Sequence, residues 1–293
     1  MAERNHERQP TACVAGERSG IVTLVEPRPT GNGPDAAAEP HPGLRPLLEL
    51  RQISKRFGSV QALTDVDFEV HAGRVVALVG DNGAGKSTLV KTIAGSIMQD
   101  SGEIVMNGET ARLNSPKDAA RLGIATVYQD LALCDNLDVV ANLYLGHERD
   151  RAGFVLDEVA MEQESTQILK QLAVSIPSVR TPVASLSGGQ RQSVAVARAT
   201  MGRPAVVLLD EPTAALGVTQ TAQVLNLIGR LRDNGLGVVV ISHSLNDVFA
   251  VSDDIVVLRL GKNAGQFVTA DTTAEAVVAA ITGVSNPPIK DQA

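Results

Sequence analysis

The sequence predicts an α/β protein built on a mostly parallel sheet, and three observations carry that prediction. First, short apolar runs rich in Val, Leu and Ile recur at residues 74–79, 123–128, 205–209, 237–242 and 255–260. Runs of this kind read as strands covered on both faces. Second, hydrophobic residues make up 44% of the 293, yet aromatics are only 2% and there is no Trp. The core must therefore be aliphatic, which suits parallel strands under helices. Third, the run at 74–79 leads into Gly80-Asp81-Asn82-Gly83-Ala84-Gly85-Lys86-Ser87-Thr88, and then into a helix-like stretch at 89–94. This fits the phosphate-loop pattern G-x-x-x-x-G-K-[ST], in the strand–loop–helix context that the pattern requires.

The elements follow in order. Residues 1–46 carry Pro27, Pro29, Pro34, Pro40, Pro42 and Pro46 among Gly, Ala and charge, and read as a disordered leader. Residues 47–53 and 66–70 alternate roughly every two residues, as half-buried strands do, with Phe57 between them. Residues 102–106 form a further strand that turns at Asn107-Gly108. Together these suggest a small antiparallel sheet beside the nucleotide core. The strand at 123–128 ends at Gln129. Residues 131–185 read as mostly helical, most clearly at 157–172, with Val159, Ile168, Leu169 and Leu172 as core candidates. Thr181-Pro182 breaks that stretch, and Leu186-Ser187-Gly188-Gly189-Gln190-Arg191-Gln192 opens an Ala/Val-rich helix to about 201. The strand at 205–209 ends in Asp210-Glu211-Pro212-Thr213, and a helix spans about 219–232. Asn234-Gly235 turns into the strand at 237–242, followed by His243. The run at 255–260 is expected as the last strand, closed by a Gly261 turn, before a short helix near 274–281 and a polar tail. No internal repeat is visible.

Composition narrows the function. The net charge of −7 argues against a general nucleic-acid binder, which would usually be basic. Cys13 and Cys134 match no metal spacing and read as reduced cytosolic thiols. No apolar run approaches the eighteen or so residues of a membrane span, and residues 21–25 are too short for a signal-peptide core. The chain is therefore expected in the cytoplasm, reaching a membrane only through a partner.

The residues then suggest chemistry. Gly80, Gly83 and Gly85 let the backbone curl with its N–H groups inward, and those donors at a helix start suit a phosphate. Lys86 would reach the β- and γ-phosphates, and the Ser87 hydroxyl would hold Mg²⁺. Asp210 at the end of an apolar strand can hold the Mg²⁺ shell, and Glu211 can polarise a water at the γ-phosphate. The plain alternatives are a glycine-rich turn and two acids capping the turn that follows.

The set GDNGAGKST, Gln129, LSGGQRQ, VVLLDEP and His243, in this order, resembles the ATP-binding cassette ATPases over about residues 47–270. LSGGQ after a phosphate loop is far more specific than the loop alone. The resemblance implies a P-loop NTPase ABC cassette with a mostly parallel-sheet nucleotide core, a small antiparallel β-subdomain and an inserted α-helical subdomain at about 131–200. The leader (1–46) would precede it, and a C-terminal helix and tail (271–293) would follow. It implies a head-to-tail homodimer with two sandwiched ATP molecules. Each would touch residues 80–88 of one subunit and Ser187, Gly188, Gly189 and Gln190 of the other. Phe57 resembles the aromatic that stacks on adenine. Glu211, His243 and Gln129 resemble the catalytic set, and Ser87, Gln129 and Asp210 the Mg²⁺ set.

One position departs. The family commonly follows Glu-Pro-Thr with Ser-Ala-Leu-Asp, which organises the dimer contact; here Ala214-Ala215-Leu216-Gly217 offers no carboxylate. Gly217-Val218, residues 115–120 and the stretch from Tyr128 to Gly146 resemble monosaccharide importers, of the single-cassette kind. That implies a sugar ABC importer ATPase at the cytoplasmic face of the cell membrane, partnered by a polytopic membrane permease and, indirectly, an extracellular sugar-binding protein, with no nucleic acid. Residues 131–145 would form the permease groove. An exporter subunit, a soluble machine acting on ribosomes or DNA, and a binding-only regulator are the rival readings.

Overall fold

The computed structural model describes residues 45–151 and 155–284. The expected leader, apart from Arg45 and Pro46, falls outside the described residues, as do Cys13 and the tail from 285.

The chain opens with two long antiparallel strands, β1 (Leu48–Phe57) and β2 (Val60–Val70). Then come β3 (Val75–Val79), the phosphate loop and α1 (Lys86–Ile93). β4 (Ser101–Met106) and β5 (Glu109–Ala111) turn at Asn107 and Gly108, whose φ angles of 53° and 85° match a type I′ hairpin. β1, β2, β4 and β5 form a four-stranded sheet in the order β2-β1-β4-β5, antiparallel throughout.

The second half adds α2 (Pro116–Arg121), β6 (Ile124–Val127), α3 (Val139–Tyr144), β7 (Asp150–Arg151), β8 (Val155–Leu156), α4 (Glu158–Gln171) and α5 (Gly188–Thr200). It closes with β9 (Val206–Asp210), α6 (Val218–Asp233), β10 (Gly237–Ile241), α7 (Leu245–Val251), β11 (Asp254–Arg259), β12 (Lys262–Val268) and α8 (Ala274–Thr282). The six-stranded sheet runs β12-β11-β3-β10-β9-β6, all parallel except the edge strand β12.

Side-chain alternation explains why its strands read as unbroken apolar runs. Leu78, Leu208 and Ile241 face the cluster shared with α1 and the antiparallel sheet, which includes Phe68, Leu89 and Ile93. Val75, Leu209 and Val240 face the opposite cluster, under α3, α5 and α6. Ala77, Val79 and Ile255 pack with Val248 of α7 and Val277 of α8. Each fully buried Leu or Ile contributes about 1.5–3 kcal/mol.

Three expectations need correction. Residues 131–185 are not mostly helical: they hold α3, the β7–β8 hairpin, α4 and a 3-10 turn at Val183–Ser185, with loops between. The loop before α3 is held by one buried amide. The Asn142 side chain accepts the Cys134 N–H (2.7 Å) and donates to the carbonyls of Cys134, Leu137 and Asp138. Val159 is not core but 67% exposed, because the buried stripe of α4 runs through Met161, Ser165 and Leu169, and Val159, two residues before Met161, falls on the opposite side of the helix. The run at 255–260 is not the last strand. β12 folds back on it through Leu260 and Gly261, both at positive φ.

Candidate active site

The register places the predicted site at one edge of the sheet. Val127, Leu209, Val240 and Ala77 pair in one row across β6, β9, β10 and β3. Gln129, Glu211, His243 and Gly80 each lie two or three residues beyond that row, at the carboxyl ends where open α/β sheets bind ligands.

The phosphate loop is shaped by both conformation and crowding. Gly80, Gly83 and Gly85 have φ of 148°, 81° and 105°. A Cβ on Gly80 would lie 2.2 Å from the Leu258 carbonyl oxygen, and one on Gly85 would lie 2.8 Å from that of Ala62. Gly83 has open space, so only its dihedral requires glycine. The loop is strapped from outside: Gly261 N–H donates to Ala84 O, and Thr64 N–H donates to Gly261 O. No side chain caps α1, whose N-cap is Gly85. Lys86 folds over the loop and its Nζ donates to Gly80 O (2.7 Å) and Asp81 O (3.0 Å). Burial pulls the Lys86 pKa down, against the attraction of Glu211, Asp81 and Asp210.

Two strands away, burial pushes the Asp210 carboxyl above its usual range, and Glu211 beside it adds to this; Lys86 and Lys91 oppose. Glu211 leaves β9 in a left-handed conformation (φ 48°) that a non-glycine residue adopts at a cost, while its N–H donates to Ile241 O at 2.9 Å. His243 Nδ1 lies 3.4 Å from Glu211 Oε1, with the ring 70% exposed. One contact escaped the sequence reading: Thr213 Oγ1 donates to Asp247 Oδ2 at 2.7 Å, tying the turn after Glu211 to α7. An acid four residues after His243 is the only trace it leaves in the sequence.

Gln129 is exposed beyond β6. Phe57 ends β1 with its ring 45% exposed and Lys55 Nζ 5.6 Å from the centroid, so it is not a core residue. Asp81, Asn82 and Ser87 are exposed and Thr88 is half-buried, all around the loop and the first turn of α1.

The signature residues keep other company. Ser187 caps α5 by accepting the Gln190 N–H (3.3 Å), and Gln190 Oε1 accepts the Ser187 N–H in return (3.0 Å). Gln190 Nε2 donates to Ser175 O. A Cβ on Gly188 would lie 2.9 Å from Leu216 Cδ2, and one on Gly189 would lie 3.0 Å from Gln220 Cβ. These glycines thus let α5 seat closely on the start of α6. The phosphate loop and the signature share none of these partners. At Gly217 the backbone is extended and a Cβ would meet nothing within 4 Å. Neither strain nor space requires glycine there.

A cavity of about 640 Å³ opens between β6 and α3, lined among others by Ala125, Leu131, Tyr144, Leu145, His147 and Arg149. On its wall Tyr144 donates to Glu164 Oε2 (2.5 Å), which also pairs with Arg149 (2.7 Å). Burial and then Glu164 push the Tyr144 pKa up to about 12. Arg198 donates to Leu131 O and Ala132 O, and burial lowers its pKa. Among the described residues no helix is long and apolar enough to cross a membrane.

Comparison with known proteins adds the family. The family described as ABC transporter matches residues 63–214. A fructose import ATP-binding protein of Rhizobium meliloti is 43% identical over 250 residues, covering 83% of this chain and 96% of the relative. A xylose/arabinose import ATP-binding protein of Sulfolobus acidocaldarius is 47% identical over 216 residues, covering 74% and 86%. A ribose import ATP-binding protein of Rubrobacter xylanophilus is 42% identical over 242 residues; this chain spans 48% of its length. Among solved structures, a nucleotide-free ATP-binding cassette from an ABC transporter superposes with a TM-score of 0.71 at 25% identity, over 81% of this chain and 96% of that one.

Proposed function

The chain belongs to the ABC transporter family of ATP-binding cassette ATPases, and from that premise we propose that it drives a sugar importer by hydrolysing ATP. The observation that carries the sugar reading is the match to a fructose import protein over nearly all of that relative's length.

The mechanism is mostly positioning and electrostatics. The loop amides and the uncapped start of α1 cradle the phosphates. Lys86, now satisfied by Gly80 O and Asp81 O, exchanges those acceptors for phosphate oxygens. Glu211 polarises the attacking water, and His243, within 3.4 Å of it, holds that water's geometry. Gln129, level with Glu211 on the next strand, orients the water from the other side. The oxygen donors of Asp210, Ser87 and Gln129 fit Mg²⁺, because a hard cation relieves both the burial of Asp210 and its repulsion by Glu211. When bound, Mg²⁺ neutralises charge on the β- and γ-phosphates. Phe57 stacks on the adenine.

The signature has no phosphate partner among its own neighbours, which supports a head-to-tail homodimer with ATP supplied in trans to Ser187, Gly188 and Gly189. The groove beside Leu131 and Leu145 receives a cytoplasmic helix of a polytopic permease, which holds the subunit at the cytoplasmic face of the membrane. An extracellular sugar-binding protein is an indirect partner.

Two measurements test this. Glu211→Gln should lower phosphate release by about 10²–10⁴-fold; wild-type turnover would remove Glu211 from its role. Pull-down of the tagged protein from detergent-solubilised host membranes should bring down a polytopic permease and a secreted sugar-binding protein. A permease alone favours export, and ribosomal or DNA-repair partners without a membrane protein would overturn transport.

A further inference from the structure

We infer that Thr213 and Asp247 form a clamp that fixes Glu211 against His243, making Asp247 a positioning residue for hydrolysis. This rests on the reading above, in which Glu211 and His243 act at the γ-phosphate.

The need for a clamp follows from where the two residues lie. Both sit just past the ends of neighbouring strands, where the ladder stops holding them. The last backbone tie is Glu211 N–H to Ile241 O (2.9 Å). Beyond it the chains leave as separate turns. Glu211 stands at φ 48°, outside the strand conformation, and His243 is 70% exposed, so packing does little to fix its ring. Their own contact, 3.4 Å from Nδ1 to Oε1, is too long for a strong hydrogen bond.

The Thr213–Asp247 bond supplies the missing constraint. At 2.7 Å it is short, it ends on a carboxylate, and it joins residues 34 positions apart in a half-buried place. Each end is locked to one of the two catalytic candidates. Thr213 is two residues past Glu211, and Pro212 between them fixes φ. Asp247 sits in the first turn of α7, where its N–H donates to Ser244 Oγ. The Ser244 N–H in turn donates to Ser242 Oγ across His243. His243 thus lies inside a loop whose two ends are tied to each other, and that loop is tied to the turn that carries Glu211.

The test uses the full-length protein and single-turnover ATP hydrolysis, so that low residual rates remain measurable. Thr213→Val keeps shape and removes the donor. It should lower the hydrolysis rate about 10-fold with ATP affinity within 2-fold of wild type, and Thr213→Ser should restore most of the rate. In a His243→Ala background, Thr213→Val should cost nothing more, because what the clamp positions is gone. An equal 10-fold loss in both backgrounds would reduce the bond to general stability and overturn the inference, as would wild-type rates in Thr213→Val. If Thr213→Val does not fold, Asp247→Ala, which removes the acceptor, carries the test, and a wild-type rate there overturns the clamp. Full activity in Glu211→Gln would instead sink the catalytic reading beneath it, while loss there with full activity in Thr213→Val would sink the clamp alone.

Discussion

Two helices in this protein begin at places suited to an anion, and they begin differently. α1 starts after Gly85 with no side-chain cap, under a lysine that burial makes less willing to be charged. α5 starts with a complete capping box, Ser187 and Gln190 satisfying each other's N–H groups. The first is left incomplete and depends on a ligand to complete it. The second is stable alone and can only be added to. The cap uses Ser187 Oγ as an acceptor, so its hydroxyl proton is still available to donate. An anion can therefore dock there without dismantling α5. In the proposed function, binding strength thus belongs to the phosphate loop, and the signature supplies a second contact from the partner subunit.

The sharpest way to break this contrast is Lys86→Ala. It should cut kcat/KM for ATP by about 10²–10³-fold, while the melting temperature without nucleotide holds or rises. A large fall in that temperature would mean Lys86 serves the fold rather than the ligand. Asp210→Asn should abolish Mg²⁺-dependent hydrolysis and yet raise the nucleotide-free melting temperature by a few degrees, since it removes a carboxylate whose charge is disfavoured by burial and by Glu211. The sign follows from linkage. Asp210 has its folded pKa raised above the unfolded value, so the native state gains stability as pH falls through that range. The advantage of Asp210→Asn should therefore be full at neutral pH and vanish in acid; an advantage that grew in acid would contradict it. At the other site, Ser187→Ala should cost about 1 kcal/mol of stability through the lost cap, read as a lower melting temperature, and should also weaken nucleotide-driven dimerisation. Gln190→Ala should show the smallest effect, a melting shift with hydrolysis nearly intact, because its amide is spent on Ser187 and Ser175 within its own subunit. Hydrolysis lost with Gln190→Ala but unchanged stability would give it a direct role.

The residues that chemistry names were the legible ones. Lys86, Asp210, Glu211 and His243 each follow an apolar run, and runs covered on both faces are visible as runs. What the sequence hid depends on long-range partners. β12 is an edge strand of mixed polarity, so no pattern marks it. The loop at 131–138 looks helical until Asn142 is seen to hold its carbonyls in place of a helical ladder. Val159 reads as core on a helix whose buried face is set by what packs against Met161, Ser165 and Leu169. Gly80, Gly85 and Gly188 stood out in the sequence by their motifs, but not as the places where another segment presses against the backbone. Thr213 and Asp247 were invisible as a pair because neither is unusual alone.

Among the described residues the parallel sheet ends at β6, which pairs only with β9. Its other side faces the groove, where Ile124, Ala125, Thr126 and Val127 form part of the wall. An unpaired strand edge is a template for any passing chain. At four residues β6 offers a stray strand little length to zip onto, one of the ways in which short edges limit unwanted pairing.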